Sequence, residues 1–202
     1  MKLFISLALI FVIPFCCGLG GLAGALNGQS TPQASTTSST LAAIYPPPAV
    51  PGAEMLYYTV NGATEKELSR EIQLKGPQGY AAYTGWEVSW TWPGYGSLLC
   101  DVSSPIVDAV VTVTFPSWDP PAKASPELIE KWARFIAALA VHEQGHVDHV
   151  YESLPRIEAA IENSDCLRAE VAAQEIIREM NRFDLDYDRE TGHGRSQGAA
   201  FP

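Results

Sequence analysis

Residues 125–155 read SPELIEKWARFIAALAVHEQGHVDHVYESLP, and the order of chemistry along this stretch decides the fold. Ser125 is a good N-cap, and Pro126 suits the first helical position. Glu127 and Glu130 fall where the positive end of a helix dipole favours acid. Leu128, Trp132, Phe135 and Leu139 then recur at steps of four, three and four, an apolar stripe committed to a core. The same alternation runs on to His142, His146 and His149, so the interior face changes from hydrocarbon to imidazole. Pro155 is expected to kink or break this helix.

His142-Glu143-Gln144-Gly145-His146 is an HExxH pattern on that helix. Two histidines four residues apart differ by about 40° around the axis and about 6 Å along it, so both rings can reach one ion. Glu143 points about 100° away. There it is no ligand, but it can hold the water the ion activates, remove its proton and return it to a leaving amine. Zn2+ is the expected cofactor, because neutral imidazoles suit it and it accepts three protein ligands plus water. Gly145 would let another segment approach the helix closely.

A third metal ligand is needed, and three residues compete. His149 shares the helix face but lies about 10.5 Å along the axis from His142, too far for convergence on one ion. Glu170 on the next helix is a second candidate, with a solvated helix charge as its plain alternative. His193, in the turn Thr191-Gly192-His193-Gly194, is favoured, because flanking glycines let the backbone fold over the site. The predicted metal set is therefore His142, His146 and His193. Tyr187 in the same closing segment is a candidate catalytic donor to an oxyanion, or else a ring packed on the helices. Asp188 is read as a turn cap or as a partner for a histidine's second nitrogen, and Asp148 as a solvated charge.

Outward from the helix, Leu56–Val60 looks extended and Asn61-Gly62 makes a turn. Thr64 with Glu67 forms a capping box for a short helix through about Gln73. Trp86, Val88, Trp90 and Trp92 alternate with polar residues, the period of a strand with one apolar face, and a packed interior is favoured over an open binding shelf. Ala109, Val111, Val113 and Phe115 alternate likewise before Pro116, which should end that strand. Another helix is expected from about Asp165 to Phe183, followed by the polar, Gly-rich YDRETGHGRSQGAAFP. The fold class is α+β, a mostly antiparallel sheet packed on the HExxH helix and a second helix, over residues 54–202.

The front of the chain differs in kind. Met1-Lys2 precedes LFISLALIFVIPF, and Ala23-Gly24-Ala25 offers a small-x-small cleavage site, so residues 1–25 read as an export signal, with an uncleaved anchor as the alternative. Residues 26–53, rich in Ser, Thr and Pro, read as a disordered tether. Of four cysteines two lie in the export segment, which leaves Cys100 and Cys166 to form a disulfide in an exported, periplasmic or secreted domain. The chain has 13 Lys and Arg against 23 Asp and Glu, so a nucleic-acid partner is not expected. Membrane contact is expected only through the N-terminal segment.

Several segments together resemble a bacterial family described as predicted secreted zinc-dependent proteases. These are YYTVNGATEKEL at 57–68, the Trp strand, Cys100, Phe115-Pro116-Ser117-Trp118, HEQGH, Cys166, Tyr187-Asp188-x-x-Thr191-x-His193-Gly194 and the terminal QGAAFP. The resemblance covers nearly all of Leu56 to Pro202 and implies a zincin-like metallopeptidase; His149 is not a fixed part of its pattern. The expected activity is hydrolysis of peptide or protein substrates, with Glu143 as general base and then acid. Two alternatives stand beside it: a non-catalytic zinc-binding or adhesion module, and a hydrolase of cell-wall amide bonds.

Overall fold

The structure, a computed structural model, describes residues 49–201. The expected export segment and most of the tether lie outside the described residues. Strand β1 (Glu54–Val60) leads into helix α1 (Glu65–Lys75). Thr64 caps α1, its side chain accepting from the Glu67 N–H, while the Glu67 carboxylate reaches back to the Ala63 N–H at 2.8 Å. The capping box is thus present but closes one residue earlier than its ideal form.

Strands β2 (Tyr83–Thr91) and β3 (Ile106–Trp118) complete a three-stranded sheet of order β1-β3-β2. β2 pairs antiparallel with β3, from Tyr83 opposite Thr114 to Thr91 opposite Ile106. β1 pairs parallel with β3, from Glu54 opposite Thr112 to Val60 opposite Trp118. The α+β class is as expected, but the sheet is mixed where a mostly antiparallel one was anticipated. The alternation in β3 specifies which face is buried, not which way its neighbours run. β3 also continues past Pro116. β2 stops pairing at Thr114, so beyond it one edge of β3 has no ladder to break, and a proline is tolerated there.

Helix α2 (Pro126–Glu162) begins at Ser125, whose side chain accepts from the Leu128 N–H at 3.2 Å. It runs 37 residues straight through Pro155, where a break was expected. The proline is exposed, while Val150, Ile157 and Ile161 around it are buried, so packing on the inner face holds the last turns in line despite the missing N–H. Helix α3 (Ala169–Thr191) runs two turns past Phe183, the expected end. Gly192, at φ 60°, stops it in the left-handed conformation, and the His193 N–H returns to the Asp188 carbonyl at 2.8 Å. The closing segment is therefore half helix: Tyr187 and Asp188 belong to α3, and only the remainder is a loop.

That loop packs back on the molecule. Ala199 is buried, and Phe201 lies against Trp132 and Phe135 with ring centroids 5.5 and 5.1 Å apart. At the other end, folded structure starts before the expected boundary at Glu54. Val50 is buried, Gln144 donates to the Pro51 carbonyl at 3.1 Å, and Tyr151 donates to the Gly52 carbonyl at 2.6 Å. No helix among the described residues is long and apolar enough to cross a membrane.

Cys100 and Cys166 form a disulfide between the loop after β2 and the turn joining α2 to α3. The bridge spans 66 residues, and closing a loop of that size stabilises by up to about 4 kcal/mol in the chain-entropy account. Replacing both cysteines by serine is expected to cost most of that, read as a lower urea midpoint with a steeper slope, since the unbridged unfolded chain exposes more surface. A midpoint equal to that of the parent protein would show that the bridge constrains nothing.

Candidate metal centre

α2 and α3 lie against each other with the histidine face of α2 turned toward α3. Gly145 makes the approach possible: a Cβ there would sit 2.3 Å from the Tyr187 hydroxyl. A ladder of near-parallel rings follows the seam. His149 stacks on Phe183 at 3.6 Å, Phe183 on Tyr187 at 5.6 Å, and Tyr187 on His142 at 5.0 Å. These contacts fix the orientation of the imidazoles before any ion is considered.

His142, Glu143 and His146 are only 2%, 3% and 6% exposed, although all three border a cleft of about 500 Å3 between β2 and the two helices. Asp188 is the convergence point. Its Oδ1 lies 3.1 Å from His142 Nε2 and 3.2 Å from His146 Nε2. Each ring is gripped from behind as well: His142 Nδ1 is 3.0 Å from Gln197 Oε1, and His146 Nδ1 is 2.8 Å from Asp184 Oδ1. Gln197 in turn donates to the Tyr187 hydroxyl at 2.9 Å.

This pattern carries a chemical constraint. Each imidazole faces an acceptor at both nitrogens, but a neutral imidazole has one N–H. With the outer acceptors taking the Nδ1 protons, the two Nε2 lone pairs and the Asp188 carboxylate face one another, a donor set that a divalent cation satisfies. Ligand atoms of His142, His146 and Asp188 all lie within 4.8 Å of one another. Burial lowers the pKa of His142, against the opposing effects of Gln197 and Asp188, and so favours its neutral form. Burial acts the same way on His146, but the hydrogen bond and charge of Asp184, with Glu143 and Asp188, raise its pKa on balance.

Glu143 points into the cleft, and the Thr84 hydroxyl of β2 donates to its Oε2 at 2.6 Å. Burial raises its pKa, opposed mainly by that hydrogen bond. The carboxyl is therefore a better proton acceptor than a solvated glutamate.

The remaining predicted residues are placed as follows. His193 lies in the left-handed region at φ 53°, borders the cleft, packs at a tilt on Tyr80 with ring centroids 4.6 Å apart and brings Nδ1 to 3.4 Å from Asp188 Oδ1. It is outside the mutually close set of ligand atoms. Tyr187 does not line the cleft; its ring packs on both histidines and its hydroxyl meets Gln197. Glu170 lies elsewhere, accepting from Trp90 Nε1 at 2.9 Å and from the Tyr95 hydroxyl at 3.0 Å. His149 is stacked on Phe183, its Nε2 buried without a hydrogen-bond partner. The sequence offers Asp188 as a partner for a histidine's second nitrogen; its place between the Nε2 atoms of both rings, and the contacts of Asp184, Gln197 and Thr84, are not legible there. Asp184 and Asp188, one helical turn apart and in register with Tyr187, would have signalled it had α3 been continued.

Fold and site together define an α+β domain whose paired helical imidazoles, an aspartate and a buried glutamate converge on one cleft. The chain belongs to the family described as bacterial protein of unknown function (DUF922), which matches residues 55–194. Among curated proteins and solved structures, none matches the chain.

Proposed function

We propose that this protein is an exported zinc-dependent peptidase of zincin-like build. The observation that carries the reading is the convergence of two buried Nε2 atoms on one aspartate oxygen, beside a buried glutamate that stays out of that set. On this reading His142, His146 and Asp188 hold the ion, and two imidazoles with a carboxylate are a zinc-type donor set. The sequence expectation gave the third position to His193; the distances from Asp188 to both rings favour the aspartate. When bound, the ion polarises a carbonyl oxygen and acidifies water.

The protein's own groups do the rest. Glu143 accepts a proton from the attacking water on its carboxylate as the water oxygen joins the carbonyl carbon, and delivers it to the nitrogen as the C–N bond breaks. Thr84 keeps that carboxylate turned into the cleft. Asp184 and Gln197 hold the two imidazoles through Nδ1. His193, half-exposed at the cleft, is in position to donate to a substrate carbonyl. β2 is an edge strand, and Tyr83, Thr84 and Trp86 border the cleft, which supports an extended peptide as substrate, added along that edge. Export is supported by the Cys100–Cys166 disulfide.

The test is elemental analysis of the purified domain together with cleavage of a broad peptide mixture, mapped by mass spectrometry. One zinc per chain is expected, with cleavage lost on chelation and regained on adding zinc. A protein that binds no zinc, or cleavage indifferent to the chelator, overturns the reading.

A further inference from the structure

The indole of Trp86 donates through Nε1 to Asp184 Oδ2 at 2.8 Å, while the other oxygen of the same carboxylate takes His146 Nδ1, also at 2.8 Å. Trp86 also borders the cleft. Four residues on, Trp90 makes the same kind of bond to α3, donating through Nε1 to Glu170 at 2.9 Å, but among the described residues Glu170 is not part of the close set of potential metal ligands. One strand therefore carries two chemically matched indole–carboxylate bonds to one helix. Only one of them leads to a histidine of the site.

A carboxylate on one hydrogen bond can rotate about its terminal torsion, and its grip on an imidazole then loses direction. A second donor on the opposite oxygen fixes the plane of the group. We propose that Trp86 is a positioning residue for the metal site: through Asp184 it sets the ring orientation and tautomer of His146, and it ties that ligand to the strand along which substrate would lie. This rests on the metal reading above. It assigns to the Trp row a role that alternation alone does not suggest, since packing against α3 would be served equally well by phenylalanine.

The experiment compares the parent protein with Trp86→Phe, Trp90→Phe, Asp184→Asn and the Trp86→Phe/Asp184→Asn double variant. Zinc affinity is measured by chelator competition, the visible spectrum is recorded with cobalt in place of zinc, and Tm is taken for each. Trp86→Phe is expected to weaken zinc binding by about 10-fold and to shift the cobalt bands, within the 10- to 100-fold range typical of outer partners. Trp90→Phe is expected to leave affinity and spectrum as in the parent while lowering Tm, which controls for loss of sheet-to-helix packing. The double variant is expected to bind no more weakly than Asp184→Asn alone, because the indole acts only through that carboxylate. Parent-like affinity and spectrum in Trp86→Phe, or a loss that adds to that of Asp184→Asn, overturns the proposal while the metal site stands. A parent protein that binds no zinc overturns both. If Trp86→Phe does not fold, the cobalt spectrum of protein carrying benzothienylalanine at position 86, which keeps the shape of the indole without its N–H, decides in the same way.

Discussion

Glu143→Gln is expected to reduce peptide hydrolysis by about 10^3-fold, within the range for loss of a general acid–base group, while zinc content stays at the parental level. The amide is isosteric with the acid, so the Thr84 hydroxyl keeps an oxygen to donate to and the helix keeps its packing. What disappears is the ability to accept a proton at that atom. A loss of 10^3-fold is about 4 kcal/mol of transition-state free energy, more than repacking of a conservative substitution explains. Stability supplies an independent sign. Burial raises the pKa of Glu143 in the folded protein, so above its unfolded value the ionised side chain opposes folding. In metal-stripped protein at neutral pH the Gln variant should therefore melt no lower than the parent. Unchanged cleavage of the peptide mixture by Glu143→Gln would remove the proposed chemistry, and loss of zinc from that variant would make Glu143 a ligand instead.

The second large effect separates the two claimants for the third ligand. Asp188→Ala is expected to strip the site, lowering zinc affinity by more than the 10- to 100-fold that outer partners cost, because its Oδ1 faces both Nε2 atoms. His193→Ala is expected to retain zinc and lose turnover, since this imidazole packs against Tyr80 at the cleft, outside the close ligand set. Glu170→Ala should leave zinc untouched, its carboxylate being engaged by Trp90 and Tyr95. Retention of zinc by Asp188→Ala together with its loss from His193→Ala would reverse the assignment and restore the set expected from sequence.

These two residues also show where sequence is readable and where it is not. Ser125, Thr64 and the apolar-to-imidazole stripe of α2 act within a turn or two of chain, so spacing alone announces them. The Cys100–Cys166 pair follows from the cysteine count and the compartment expected from the N-terminal sequence. The place of Asp188 between both imidazoles does not follow, because it depends on α3 continuing through Leu185-Asp186-Tyr187, which the packing of Phe183 and Tyr187 against α2 keeps helical. Pro155 misleads for the matching reason: local chemistry opposes a helix there, and buried neighbours override it. Gln197 reaches His142 only after the tail has folded back over α2, and the parallel course of β1 depends on a partner 58 residues away at Glu54 and Thr112. Long-range pairing of this sort leaves no periodic trace.

The contact of Val50, Pro51 and Gly52 with α2 has a practical corollary. Any recombinant version trimmed to begin at Glu54 would leave Gln144, on the turn that spaces His142 from His146, without its contact to the Pro51 carbonyl, leave the Tyr151 hydroxyl without the Gly52 carbonyl, and uncover Val147. Residues 50–52 thus act as a brace on the middle of α2, so the safe cut lies upstream of Ala49.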